Sequence, residues 1–176
     1  MAVEREAMIA ALERLEARPW DTPEEAETPF VTLLFGGTAP SARVQAKSYL
    51  EAIEADGVPT TLVVRRDLDE SLTAAWNVAH VGRMASNAID PVPSDLRIIE
   101  EAISQARQCR LIYAEALMIM MKESGDVDRN EVRRVKEQFT QAILELGRTA
   151  DALTARLDDP RPASFVARQP SVLNAF

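Results

Sequence analysis

The stretch that decides the fold is LRIIEEAISQARQCRLIYAEALMIM, residues 96–120. Its apolar side chains recur every three or four residues from Leu96 to Met120, the spacing that places residues on one face of an α-helix. The same spacing returns in residues 132–157, VRRVKEQFTQAILELGRTADALTARL, after a polar interval. The sequence therefore predicts a mainly α protein built around a long antiparallel αα-hairpin over about residues 94–158.

Shorter helices are expected to pack against this hairpin. Residues 3–18 form an amphipathic pattern with one apolar stripe. Residues 41–56 form a second such pattern, and Gly57 stands where glycine commonly ends a helix. Both segments are predicted to be helices that bury one face on the hairpin.

Two short apolar runs leave strand and helix as open alternatives. Residues 30–35 (FVTLLF) and 60–65 (TTLVVR) contain β-branched residues, which favour extended chain. We favour a helical turn for the first run and a strand or extended chain for the second. A helix over residues 68–89 then follows, with Asp67 or Asp69 as its expected N-cap.

The patterns divide the chain into three parts. Residues 1–93 form an N-terminal helical or α+β region, residues 94–159 form the hairpin, and residues 160–176 form an extended docking arm. Three prolines prevent a continuous helix in the arm, yet it keeps apolar residues that a solvated tail normally lacks. These candidate anchors are Phe165, Val166, Val172, Leu173 and Phe176.

A further candidate interface lies near the end of the first hairpin helix. Residues 116–121 (ALMIMM) are six consecutive apolar residues, so this part of the helix is apolar on every side. The alternatives are burial beneath the N-terminal helices of the same chain and contact with another subunit, where flexible methionines adapt to an imperfect surface. The candidate interface residues in the run are Leu117, Met118, Met120 and Met121.

Composition argues against several functional classes. A net charge of −8 argues against non-specific nucleic-acid binding, because phosphate affinity depends on clustered cations. One cysteine excludes a disulfide framework, one histidine excludes His-pair metal sites, and we predict no cofactor. No apolar run approaches the roughly 20 residues of a membrane span, and the first residues lack a signal-peptide pattern. We expect a soluble protein, located in the cytoplasm or in a particle assembled there.

One polar turn suggests a metal site. Asp126, Asp128 and Asn130, with Glu137 in the twelfth position, resemble the start of an EF-hand calcium loop. Glu131 stands where that loop has its glycine. The alternative, which we favour, is that Asp128 caps the second hairpin helix and Glu131 completes a capping box.

A glycine-containing turn suggests an anion site. Gly36, Gly37, Thr38 and Ser41 precede a predicted helix, and free N–H groups at a helix N-terminus can bind anions. This hypothesis requires residues 30–35 and 60–64 to pair as strands. We favour a simple turn and helix start.

These observations favour a non-enzymatic structural, assembly or adaptor subunit. It would form homo-oligomers or dock on partner chains through its hairpin and its C-terminal arm, and a virion connector, adaptor or tail-type component is the most concrete version. Residues 1–29 hold eight acids against three arginines, whereas residues 160–176 hold two arginines and no acid, so the arm could lie on a neighbour's N-terminal region. The alternative is a small regulatory domain that binds an anionic ligand at the Gly36–Ser41 turn.

Overall fold

Helices account for 87% of the residues that the computed structural model describes, which are 2–20, 41–87 and 91–158. The mainly helical prediction is confirmed, and these ranges contain no β-strand. The five helices are α1 (Ala2–Glu16), α2 (Ala42–Ala55), α3 (Thr60–Ser86), α4 (Pro93–Glu123) and α5 (Arg129–Asp158).

The predicted hairpin is formed by α4 and α5, which pack side by side in opposite directions. Residues 124–128 join them, and Gly125 has a φ of +71°, a left-handed conformation that glycine adopts without a Cβ clash. Arg110 Nη1 donates a hydrogen bond to Thr140 Oγ1 at 3.1 Å, and Tyr113 stacks on Phe139, so residues 110–113 of α4 lie beside residues 139–140 of α5. This register defines which side chains face each other across the hairpin.

The beginning of α3 corrects the predicted strand at residues 60–65. The helix starts at Thr60, so Asp67 and Asp69 lie inside it and neither is its N-cap. The preference of β-branched residues for strands is small, and burial of apolar side chains on the helical face outweighs it. The buried positions keep helical spacing from the first turn onwards: Val64, Leu68, Ser71, Ala75 and Val78. Residues 30–35, the other candidate strand, lie outside the described residues.

Helices α1 and α2 lie one after the other against α3 and α4. Arg5 Nε donates to Asp95 Oδ1 at 2.8 Å, and Arg18 farther along bonds Gln108, so α1 runs parallel to α4. Both α1 and α2 contact α3 and α4, and within the described ranges neither contacts α5. The architecture is therefore a four-helix bundle whose first position is occupied by two short helices in succession.

Trp20, four residues after the end of α1, packs against α2 and α4. Its ring lies edge-on to Tyr49 and Tyr113, with centroid distances of 5.7 Å and 4.9 Å. Tyr113 in turn stacks on Phe139 of α5 at 6.0 Å. Such pairs add specific contacts to the burial of large apolar rings, so this cluster joins the divided first position to the rest of the core.

The same cluster contains buried hydrogen bonds. Tyr49 Oη donates to Asp67 Oδ2 at 2.6 Å, and Ser71 Oγ lies 3.0 Å from Tyr113 Oη. Burial raises the pKa of Tyr49, and the hydrogen bond to Asp67 raises it further. Burial also raises the pKa of Tyr113, although its contact with Ser71 acts in the opposite direction. Both phenols are therefore held in the neutral form.

Candidate functional site

An open groove with a volume of about 370 Å³ lies between α4 and α5 on the surface of the hairpin. Helical spacing produces it, because residues 111, 114 and 118 share one face of α4 and residues 136 and 140 share one face of α5. The side chains that line it are Arg110, Leu111, Ala114, Glu115, Met118, Lys136 and Thr140.

Two leucines make this surface apolar. Leu111 is 55% exposed, and Leu144, one helical turn beyond Thr140 on α5, is 48% exposed. Leu117 and Leu146 on the same two helices are fully buried. Each hairpin helix therefore carries one apolar stripe for the core and additional apolar side chains that face outwards, as a binding surface requires.

The charges around the groove are mostly positive. Arg110 and Lys136 line it, and Arg107 lies one turn from Leu111 on the same face of α4. Glu115 is the acidic residue among the lining side chains. This locally basic surface contrasts with the net charge of −8 of the whole chain.

The structure separates the predicted interface residues of the 116–121 run. Leu117 and Met120 lie in the core of their own chain, which is the burial alternative for this run. Met118 and Met121 are partly buried and pack against the core, and Met118 also lines the groove.

Sequence reasoning missed Leu111 and Leu144. Both lie off the main apolar stripe of their helices, at positions that would be polar on a helix with one buried face. That departure from the pattern was the available signal.

Several other predicted site residues are placed elsewhere or lie outside the described residues. Ser41 is the N-cap of α2, where its Oγ accepts a hydrogen bond from the Val44 N–H at 3.3 Å. Residues 60–64 are helical, so they do not supply the second strand that the anion-site hypothesis requires. The predicted residues that lie outside the described ranges are Gly36, Gly37, Thr38, Phe165, Val166, Val172, Leu173 and Phe176.

The polar turn at the tip of the hairpin acts as a helix start. The Glu131 N–H donates to Asp128 Oδ1 at 2.8 Å, the geometry of an N-cap. The Glu131 carboxylate accepts two hydrogen bonds from Arg65 of α3, at 2.7 and 2.9 Å, so the capping-box half of the prediction is wrong.

The calcium alternative finds no support in the described ranges, where no three Asp, Glu, His or Cys side chains are grouped to hold a metal ion. Its proposed ligands Asp126, Asp128, Asn130 and Glu137 are all exposed, and Asp128 caps α5.

Comparison of the chain with protein families, with curated proteins and with solved structures finds no match. Across residues 2–20, 41–87 and 91–158, none of the helices combines the length and apolar character needed to cross a bilayer.

Proposed function

We propose that this protein is a non-enzymatic structural or adaptor subunit, which forms homo-oligomers or docks on partner chains through its helical hairpin and its C-terminal arm. The observation that carries the proposal is the exposure of Leu111, which lines the groove, and of Leu144, one helical turn beyond the lining residue Thr140. Completing the burial of two half-exposed leucines contributes on the order of 2 kcal/mol. Association costs about 4 kcal/mol or more before any net affinity appears, so a stable complex needs further contacts.

The arm is the part of the sequence suited to supply them. Residues 160–176 contain five large apolar side chains and two arginines, and they contain no acidic residue. An extended segment with anchors of this kind can wrap a neighbouring chain and bury surface at each anchor. A connector, adaptor or tail-type component of a virion is the most concrete version of the proposal.

Deletion of residues 160–176 tests this function. We expect a lower mass by light scattering together with unchanged far-ultraviolet circular dichroism, because the deletion leaves the helices from Ala2 to Asp158 intact. A variant with both Phe165→Ser and Phe176→Ser keeps the length and charge of the arm. It should also lower the mass of the oligomer measured by light scattering.

Two results would contradict the proposal. An unaltered oligomer in both variants would remove the arm from the assembly. A full-length chain that stays monomeric at every concentration would contradict the homo-oligomeric form of the proposal.

A further inference from the structure

We propose that the groove between α4 and α5 binds the outward face of α1 from a second copy of this chain. The inference rests on the proposed function, since it requires that the protein forms homo-oligomers. It names the two surfaces that meet, which are an acidic ridge and a basic groove flanked by leucines.

The outward face of α1 has the shape for this contact. Met8, Ala11 and Leu15 are fully buried on the inner face, so the opposite face of α1 points away from its own bundle. Ala10 near its centre lets a neighbouring backbone approach closely, which leaves room for Leu111 and Leu144 beside it. The exposed residues of this face, which we call the α1 ridge, are Val3, Glu6, Ile9, Ala10 and Glu13.

The charges of the two surfaces have matching spacings. Glu6 and Glu13 are seven residues apart on α1, which is about 10 Å along a helix. Residue 110 bonds residue 140 and Tyr113 stacks on Phe139, so Lys136 lies level with residues 114–116 of α4, seven to nine residues beyond Arg107. The two cations are therefore about 10 to 14 Å apart along the hairpin, and each can face one glutamate of the ridge.

Arg14 does not oppose this pairing. It lies toward α3, where it lines a separate cavity of about 840 Å³ together with Arg66, Asp69 and Glu70. The acidic residues of the ridge therefore dominate the surface that would enter the groove, and complementary charge sets the register of the contact more than its strength.

The arrangement determines the kind of assembly. The ridge and the groove are different surfaces of one molecule, and α1 does not contact α5. Each copy can therefore offer its ridge to one neighbour and its groove to another. Such a heterologous contact builds a ring where the rotation closes and a filament where it does not, both of which suit a structural subunit.

A charge exchange between the two surfaces tests the inference. One full-length variant combines Glu6→Lys with Glu13→Lys, and a second combines Arg107→Glu with Lys136→Glu. Each of these two variants turns two attractive charge pairs into repulsive ones. We expect each variant alone to associate about 10- to 100-fold more weakly than the natural chain in sedimentation at low salt. An equal mixture of the two should recover the larger species, because every ridge then finds a groove of opposite charge.

Matched variants on α2 control for net charge. One control combines Glu51→Lys with Glu54→Lys, and the other combines Arg43→Glu with Lys47→Glu. They make the same charge changes at exposed positions outside both surfaces. These controls should associate like the natural chain, and circular dichroism should show equal helix content in all variants.

The outcomes separate this inference from the proposed function. Recovery in the mixture supports the contact between ridge and groove. If the natural chain associates and the groove variant associates equally well, the inference is wrong, whereas loss of association on deleting residues 160–176 would still support an assembly role. A natural chain that is monomeric at every concentration overturns the inference and the homo-oligomeric form of the proposed function.

Discussion

The two tyrosines of the chain, Tyr49 and Tyr113, should make its stability fall steeply at alkaline pH. Both are buried and both have a pKa raised above the ordinary tyrosine value. The unfolded chain therefore releases its phenol protons first, at a pH of about 10, while the folded chain keeps them. Their contribution is fully present below that pH and is lost as the pH rises above it.

The size of the effect follows from the number of protons. Each phenol that ionises only on unfolding lowers the free energy of unfolding by about 1.4 kcal/mol per pH unit above 10. The pair therefore lowers it by about 2.7 kcal/mol per unit. Two units remove about 5 kcal/mol, which is comparable to the whole stability of many domains. We expect the protein to unfold cooperatively by about pH 12.

Phenolate absorbance and far-ultraviolet circular dichroism, followed together during an alkaline titration, measure this coupling. The absorbance should rise only as helix is lost. A Tyr113→Phe variant should show about half the slope of stability against pH, because one of two coupled protons is gone. Phenolate absorbance that rises near pH 10 while helix content stays constant would refute the reasoning, since at least one phenol would then ionise in the folded state.

Four substitutions test the packing and capping of the bundle by urea unfolding. Leu146→Ala should lower the free energy of unfolding by about 3 kcal/mol and Leu144→Ala by less than about 1 kcal/mol, because the first side chain is fully buried and the second is half exposed. Equal losses would contradict the division into inner and outer stripes. Asp128→Ala should cost about 1 kcal/mol through loss of the α5 N-cap, and no change would mean that its bond to the Glu131 N–H is dispensable. Gly82→Leu should cost about 2 kcal/mol or more, because a Cβ there already lies 3.0 Å from a methyl of Thr149; a stable Leu variant would show that α3 and α5 can separate.

Most of the helices could be predicted because their apolar periodicity is long. The spacing over residues 96–120 and 132–157 identifies α4 and α5, and the structure has these helices at Pro93–Glu123 and Arg129–Asp158. Gly57 also ends α2 as predicted, with a φ of +71°. Local patterns of this kind arise from the helix geometry itself and need no knowledge of the rest of the chain.

The first turn of α3 could not be predicted in the same way. The run TTLVV has weak local preferences for both strand and helix. The helix is selected because it buries Val64 in the core. Asp67 illustrates the same limit, since it was expected to cap a helix and instead accepts a hydrogen bond from a buried tyrosine of α2.

The candidate interaction surface depended on similar information. The 116–121 run is apolar on every side, and its sequence is equally compatible with burial inside the chain and with an interface. The packing of the other helices against α4 buries Leu117 and Met120, and it leaves Leu111, six residues before Leu117, exposed.

The amino-acid sequence by itself determined the mainly helical fold class, the hairpin and the positions of most helix ends. These features depend on the spacing of apolar residues and on residues within a few positions of each other. The tertiary structure decided that residues 60–64 are helical, that α1 and α2 share one position in the bundle, and which apolar residues face outwards. Those features depend on contacts between residues distant in sequence, such as Tyr49 with Tyr113 and Arg65 with Glu131, whose proximity no local pattern encodes.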